Sequence, residues 1–163
     1  MSPHIAADRQ RELATLAEGA GAVLVLIGAY SPWARTFVLF TSASERGVDA
    51  TCLVTTCRHL LPLIPLVALG LLAWHWYVRR ARWAHLVILA LGAVTLALAL
   101  AYVIGLQARL ARAEQSLSQA GQLPGAVRVD LDVGFYLTVA GGAAMAAGGL
   151  LGSTKDRLPL TKA

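Results

Sequence analysis

Two cysteines are the residues of this chain best suited to covalent or metal chemistry. Cys52 and Cys57 are separated by four residues, and His59 follows closely. A disulfide between the two thiols would close a short loop and stabilise it by about 2 kcal/mol. Thiol–disulfide exchange is the redox alternative, but it normally uses a Cys-x-x-Cys pair and a second partner thiol. A structural zinc site needs four ligands, and these side chains supply three. We therefore expect a structural disulfide.

The other titratable residues avoid the middle of the long apolar segments. Glu18, His75 and His85 lie near segment ends, and the deepest polar side chains are Thr95 and Thr138. Ionisable groups inside a membrane mark proton relays and transport paths, so this pattern argues against a pump or a channel. The chain also lacks metalloprotease, hydrolase and phosphate-binding-loop motifs. We expect no catalytic residue, no cofactor and no metal ion.

Four stretches without formal charge define the elements that must position these residues. They contain 16 residues after Glu18, 20 after Arg58, 26 after Arg82 and 22 after Asp132. A hydrocarbon core about 30 Å thick needs about 20 apolar helical residues. The chain is 57% hydrophobic and 14% charged, with a mean hydropathy of +0.63, whereas soluble domains carry about 25% charged residues. We predict an all-α integral membrane protein, a four-transmembrane-helix bundle in a single domain over 1–163. The predicted spans are 13–33, 59–78, 84–106 and 133–153.

Basic and aromatic residues predict the orientation of the spans. The turn between the second and third spans contains Arg79, Arg80 and Arg82, and short cationic turns remain in the cytoplasm. Both termini of this multi-pass plasma-membrane protein then lie in the cytoplasm, and the loops 34–58 and 107–132 face outward. The net charge of +5 reflects these flanking cations and their contacts with lipid headgroups, so we expect no nucleic-acid partner. The tryptophans expected as interfacial anchors are Trp33, Trp74, Trp76 and Trp83.

The two outer loops contain strand patterns. Residues 34–41 are rich in β-branched and aromatic side chains, a polar break follows at 42–47, and a second run occupies 48–56. This arrangement predicts two strands around a turn. Apolar and polar residues alternate over 127–133, which predicts a third strand. We expect a small extracytoplasmic sheet, with irregular loops as the alternative.

The third span is predicted to continue out of the bilayer. Apolar residues at Leu106, Leu110, Ala113 and Leu117 recur at helical spacing. A helix from 84 to 120 would be about 55 Å long, and the Gly- and Pro-containing segment that follows would end it.

Small residues repeat at intervals of four in two spans. Such side chains let helix backbones approach closely in lipid. Glycine also lowers helix propensity, so the five glycines between 141 and 152 need a packing reason. We expect these rows to pack against helices of the same chain or to dock on a partner's helix. The rows are Ala93, Ala97, Ala101 and Gly105 in the third span, and Ala140, Ala144, Gly148 and Gly152 in the fourth, with Gly141 and Gly149 beside them.

Short motifs at the span ends carry a resemblance to known proteins. The first span ends in Gly28-Ala29-Tyr30-Ser31-Pro32-Trp33, the first loop contains Gly47-Val48-Asp49, and the last span begins Gly134-Phe135-Tyr136-Leu137. With the arginine-rich inner turn, this pattern resembles small actinobacterial four-helix membrane proteins, including the tryptophan-associated group.

The layout is also similar to that of claudin-like tetraspans, although Ser31-Pro32-Trp33 replaces their Gly-Leu-Trp motif. That similarity implies that Trp33, Cys52 and Cys57 correspond to the tryptophan and the disulfide of the claudin outer sheet. Some small actinobacterial proteins of this kind, such as the LucB-like proteins, are accessory subunits of mycobacterial Mce lipid importers.

These observations lead to a functional hypothesis. We expect a non-enzymatic accessory subunit of a larger cell-envelope complex, for which the resemblance suggests a lipid importer of the Mce type. Its glycine-rich last span would dock on a partner's membrane helix, and its outer sheet and extended third helix would brace the extracytoplasmic part of that partner. Its partners would be membrane lipids and the subunits of that complex. One alternative is a membrane thiol–disulfide oxidoreductase that uses Cys52 and Cys57. Another is a self-associating tetraspan that organises the membrane.

Overall fold

The computed structural model describes residues 3–38, 41–47, 60–78, 82–119 and 127–154. Within these ranges four helices and three strands follow one another in the order α1-β1-β2-α2-α3-β3-α4. The helices are α1 (Pro3–Tyr30), α2 (Leu60–Val78), α3 (Arg82–Gln119) and α4 (Val133–Thr154). The strands are β1 (Pro32–Val38), β2 (Thr41–Arg46) and β3 (Val127–Leu131).

Three of these helices are long and apolar enough to cross a membrane. Their apolar segments are Glu12–Tyr30, Trp83–Ser116 and Val133–Ser153, and α2 contributes the shorter apolar segment Leu61–His75. The first helix ends at Tyr30, three residues before the predicted end, because Pro32 disfavours a helical conformation at the residue before it. The predicted helical continuation beyond residue 106 is confirmed, since α3 runs without interruption to Gln119.

Helix α4 lies between α1 and α3 and runs antiparallel to both, while α2 packs against α1 and α3. The buried side chains at the centre come from all four helices. This core consists of Ala22, Val25, Ile64, Ala68, Ile88 and Met145.

The three strands form an antiparallel sheet with β1 in the middle, in the order β2-β1-β3. Phe37 pairs with Ser42 of β2 on one side and with Arg128 of β3 on the other. The sheet covers the end of the bundle at which α1 ends and α4 begins; we call this the sheet end. The prediction of a third strand near residue 127 is confirmed.

The second strand differs from its prediction. β2 occupies Thr41–Arg46, the polar segment that was predicted to be the turn. Strand pairing with β1 outweighs the weak β propensity of these residues. Since Ser42, Ala43 and Ser44 are exposed, the strand needs no apolar face. The predicted strand 48–56 lies outside the described residues.

Trp33 is buried beneath the sheet, so its prediction as an interfacial anchor is wrong. Its side chain is 0% exposed, and its indole Nε1 donates a hydrogen bond to the carbonyl oxygen of Gly28 at 2.8 Å. The indole meets the rings of Tyr102 and Phe135 edge-on, with centroid distances of 5.1 Å and 5.7 Å. The side chain points inward because β1 begins directly after α1 and alternates its side chains between the two faces of the sheet.

Candidate functional site

Helix α4 carries glycines in two rows that repeat every seven residues. Gly141 and Gly148 face α1 and Gly134 faces Ser31 and Pro32 just beyond its end, whereas Gly142 and Gly149 face α3. Seven residues are almost two complete helical turns, so each row drifts by only about 20° per repeat. The rows are offset by one residue, which is about 100° around the helix. This arrangement lets α4 pack closely against two helices at once.

Backbone atoms nearly touch where α1 crosses α4. A Cβ atom added to Gly141 would lie 2.5 Å from the carbonyl oxygen of Gly21, and a Cβ added to Gly21 would lie 2.6 Å from that of Gly141. Nearer the sheet end, a Cβ on Gly28 would lie 2.8 Å from the carbonyl oxygen of Gly134. Any larger residue at these positions would force the helices apart.

The contact between α3 and α4 is equally close. A Cβ added to Gly92 would lie 2.8 Å from the carbonyl oxygen of Gly142, and one added to Gly149 would lie 2.7 Å from that of His85. Both faces of α4 are therefore used within the chain.

The predicted four-residue row of α4 does not follow one contact face. Gly148 is buried, Ala144 and Gly152 are half-buried, and Ala140 is exposed. An interval of four residues advances about 40° around a helix per step, so the row winds away from α1. Gly141, Gly148, Gly149 and Gly152 all contact other helices of this chain, which is one of the two roles that the sequence left open.

The predicted row of α3 lies on the outside of the bundle. Ala93, Ala97 and Ala101 are exposed, and Gly105 is half-buried. Within the described part of the chain, no atom comes within 4 Å of a Cβ added to Gly105. Together these four residues wind through about 120° of the helix surface, and we call this strip the α3 small-residue face.

The structure describes the other six predicted anchors and the two cysteines to different degrees. Trp74 and Trp83 are exposed at the end of the bundle opposite the sheet. Arg79, Arg80, Cys52 and Cys57 lie outside the described residues, and for Arg82 and Trp76 the structure describes the backbone only.

A buried polar cluster joins three helices at the end of the bundle opposite the sheet. Glu18 of α1 is 0% exposed, and its Oε1 lies 2.7 Å from Nδ1 of His85 in α3. The ring of His75 in α2 meets the ring of His85 edge-on at a centroid distance of 5.0 Å. We call these residues the Glu18–His75–His85 cluster.

Glycines of α4 make room for this cluster. A Cβ on Gly148 would lie 2.7 Å from Cγ of Glu18, and one on Gly152 would lie 2.6 Å from Nδ1 of His85. The second carboxylate oxygen of Glu18 has no hydrogen-bond partner among the residues that the structure describes. The bundle therefore encloses an ionisable pair, one of whose polar atoms is unsatisfied by the described residues.

Sequence reasoning placed Glu18 at a segment end and did not identify this cluster. Glu18 lies on the same helical face as Ala14, Ala22 and Val25, all of which are buried. The signal available in the sequence was that the Glu18 carboxylate lies in a row of small apolar residues. A helical face of that kind packs inward, so Glu18 could have been predicted to be buried. Its partner could not be found this way, since His85 lies 67 residues further along the chain. In the described ranges, no group of three or more His, Cys, Asp or Glu side chains has a geometry that could hold a metal ion.

Polar contacts at the sheet end connect the strands to the helices. Arg35 of β1 forms an ion pair with Asp132, and the other oxygen of Asp132 accepts a hydrogen bond from the backbone N–H of Val133 at 2.7 Å. This backbone bond, together with the guanidinium of Arg35, holds the pKa of the Asp132 carboxyl below its usual value. On the opposite side of β1, Tyr102 donates to Oε2 of Glu45 at 3.3 Å. The sheet is thus attached to both α3 and α4.

Comparison with known proteins adds no further assignment, because no family model and no curated protein matches the chain.

Proposed function

We propose that this protein is a non-enzymatic accessory subunit of a larger membrane complex in the cell envelope. In this proposal all four helices cross the plasma membrane, and both termini lie in the cytoplasm. The three long apolar helices support the membrane location. The arginine-rich turn between α2 and α3 supports the orientation.

The length of α3 is the observation that carries the proposal. Its 38 residues correspond to about 57 Å of helix, whereas the hydrocarbon core of a bilayer is about 30 Å thick. Most of the side chains described beyond Leu106 are exposed, including those of Gln107, Arg112 and Glu114. We call residues 107–119 the α3 arm. A solvated helix of this length gains little stability by itself, which favours a role in contacting another protein.

The α3 small-residue face extends the same surface into the apolar part of the helix. Exposed alanines at helical spacing allow the backbone of a neighbouring helix to approach closely. In lipid the hydrophobic effect does not drive helices together, so van der Waals packing of this kind supplies the attraction between them. Because the glycines of α4 are already engaged within the chain, this face is the better candidate for docking. We propose that its occupant is a transmembrane helix of a partner subunit, with the α3 arm touching the extracytoplasmic part of the same partner.

The partner class follows from the resemblance to small actinobacterial accessory subunits. By that analogy the complex is a lipid importer of the Mce type. The oxidoreductase alternative depends on Cys52 and Cys57, which lie outside the described residues, and no described contact favours it.

Purification from native membranes tests the proposal. The tagged chain, extracted with a mild detergent, should bring down one set of membrane proteins in fixed stoichiometry, identified by mass spectrometry. Ala97→Leu should reduce their recovery at least tenfold, because leucine would hold the partner helix away from α3. The matched control is Ala73→Leu, an equal substitution at an exposed position of α2, which should leave recovery unchanged.

Two outcomes would contradict the proposal. The chain could run alone or only with a second copy of itself, which would favour the self-associating alternative. Recovery could also fall equally with Ala97→Leu and Ala73→Leu, which would exclude α3 as the specific docking face.

A further inference from the structure

We propose that Glu45 of β2 is a latch that fixes the direction of the α3 arm by holding α3 on both sides of Gly105. The carboxylate of Glu45 contacts Tyr102, three residues before this glycine, and Arg109, four residues after it. The latch itself involves only contacts within the chain. Its consequence for partner binding rests on the proposal that the α3 arm touches a partner subunit.

The two carboxylate oxygens of Glu45 contact different parts of α3. Oε2 accepts the hydrogen bond from the hydroxyl of Tyr102 at 3.3 Å, and Oε1 lies 4.0 Å from Nη1 of Arg109. Residues seven apart lie about 20° apart around a helix and about 10.5 Å apart along its axis. One carboxylate of the sheet therefore connects two positions that are almost two turns of α3 apart.

The two contacts of Glu45 differ in how firmly they are held. Tyr102 is 5% exposed and belongs to the buried cluster that also contains Trp33 and Leu61, so the bundle holds its ring in place. The side chains of Arg109 and Glu45 are 51% and 44% exposed, and exposed ion pairs are individually weak. The contact with Tyr102 thus attaches Glu45 to the bundle, whereas the contact with Arg109 holds the arm and can be released.

Gly105 is the weak point of α3 between these two contacts. Glycine has a much lower helix propensity than alanine. In the part of the chain that the structure describes, no atom lies within 4 Å of a Cβ added to Gly105. Close packing therefore does not account for this glycine, as it does for Gly141 and Gly149 of α4. Gly105 is the position at which the arm can bend relative to the bundle.

The latch gives the α3 arm a fixed and a released state. In the fixed state the arm continues α3 without interruption to Gln119. An acidic side chain of a partner subunit can replace Glu45 at the half-exposed guanidinium of Arg109, because guanidinium groups bind carboxylates strongly. The arm is then free to turn about Gly105 and to follow the surface of that partner.

Distances measured within the purified chain test the latch in the absence of any partner. Spin labels attached to genetically encoded azido residues leave the natural cysteines unmodified. We choose three exposed label positions, Ala93 in the apolar part of α3, Ala111 in the arm and Ala143 in α4. Pulsed electron paramagnetic resonance of the full-length chain in detergent micelles then gives two distance distributions. Ala111 with Ala143 is the arm pair, and Ala93 with Ala143 is the bundle pair.

Removal of the Glu45 carboxylate should release the arm and leave the bundle unchanged. The natural chain should give narrow distributions for both pairs. Glu45→Ala should roughly double the width of the arm-pair distribution without changing the bundle pair. The matched control, Ser44→Ala, alters an exposed neighbour in the same strand and should leave both distributions as they are in the natural chain.

A second substitution tests the position of the bend. Adding Gly105→Ala to Glu45→Ala should restore a narrow arm-pair distribution, because alanine strengthens the helix at this point. A distribution that stays wide would contradict the bend at Gly105. If Glu45→Ala fails to fold, Arg109→Gln removes only the ion pair and should still widen the arm-pair distribution, and an unchanged width would overturn the latch.

Three further results would overturn the latch. The arm-pair distribution of the natural chain could already be as wide as that of Glu45→Ala, or Ser44→Ala could widen it equally. Glu45→Ala could also widen both pairs to the same extent, which would mean that the whole bundle is loosened. Since no partner is present in this experiment, these results leave the accessory-subunit proposal to the co-purification described above.

Discussion

Gly21 and Gly141 lie directly opposite each other, with the carbonyl oxygen of Gly21 only 2.5 Å from the position that a Cβ of residue 141 would occupy. Neither residue can gain a side chain while α1 and α4 keep this distance. The seven-residue rows of α4 repeat this relationship along both of its neighbours. The glycine-rich helix therefore forms the centre of its own bundle, whereas the small residues of α3 lie on the outside.

Substitution of Gly141 tests the closeness of α1 and α4. Gly141→Leu should lower the free energy of unfolding by about 3 kcal/mol, because overpacking against backbone atoms can only be relieved by separating the helices. The matched control is Gly105→Leu, where no described atom lies within 4 Å of an added Cβ and leucine gains helix propensity. Unfolding of both variants in detergent micelles, followed by circular dichroism, checks this expectation. Equal stability of the two variants would contradict the role of Gly141.

Trp33 is predicted to stabilise the sheet end of the bundle. Trp33→Phe should cost about 2 kcal/mol, because it removes the hydrogen bond to Gly28 and leaves space between Tyr102 and Phe135. Trp74→Phe, at a half-exposed tryptophan, should change the free energy of unfolding by less than about 0.5 kcal/mol. The same unfolding measurement compares the two variants. A larger loss of stability from Trp74→Phe than from Trp33→Phe would show that the contacts of Trp33 with Tyr102 and Phe135 do not stabilise the sheet end.

The ion pair between Arg35 and Asp132 predicts an acid-dependent contribution to stability. The pKa of Asp132 is lower in the folded protein than in the unfolded chain, so the carboxylate stabilises the fold above the unfolded value of about 3.9. This contribution is lost as the pH falls through the lower, folded value. Asp132→Asn should therefore melt at a lower temperature than the natural protein at pH 7 and approach it near pH 2.

Asp130→Asn provides the control for this prediction. Asp130 pairs with the neighbouring Arg128 on the exposed side of β3, and exposed ion pairs of this kind contribute little. Its melting curve should follow that of the natural protein at both pH values. If Asp132→Asn were as stable as the natural protein at pH 7, Asp132 would not be one of the residues that attach the sheet to the helices.

The sequence predicted those features that depend on local periodicity. Uncharged stretches predicted the helices, the alternation before Val133 predicted β3, and apolar spacing after Leu106 predicted the continuation of α3. Each signal lies within a single segment of the chain, so one sequence is enough to reveal it.

Features that depend on distant neighbours were not predicted. The polar residues of β2 form a strand only because β1 lies beside them, and the inward direction of Trp33 depends on the short passage from α1 into β1. The pairing of Glu18 with His85 requires knowing which faces of two helices meet. The glycines of α4 already repeat every seven residues in the sequence. That the two rows contact two different helices, however, can be seen only when α1 and α3 are placed beside α4.

The most direct test of the account is site-specific photo-crosslinking in living cells. A photoreactive amino acid at Ala97, on the α3 small-residue face, should attach to one distinct membrane protein, whereas the same residue at Ala73 of α2 should not. Attachment from Ala97 only to lipid or to a second copy of the chain would contradict the proposal that α3 docks a partner subunit.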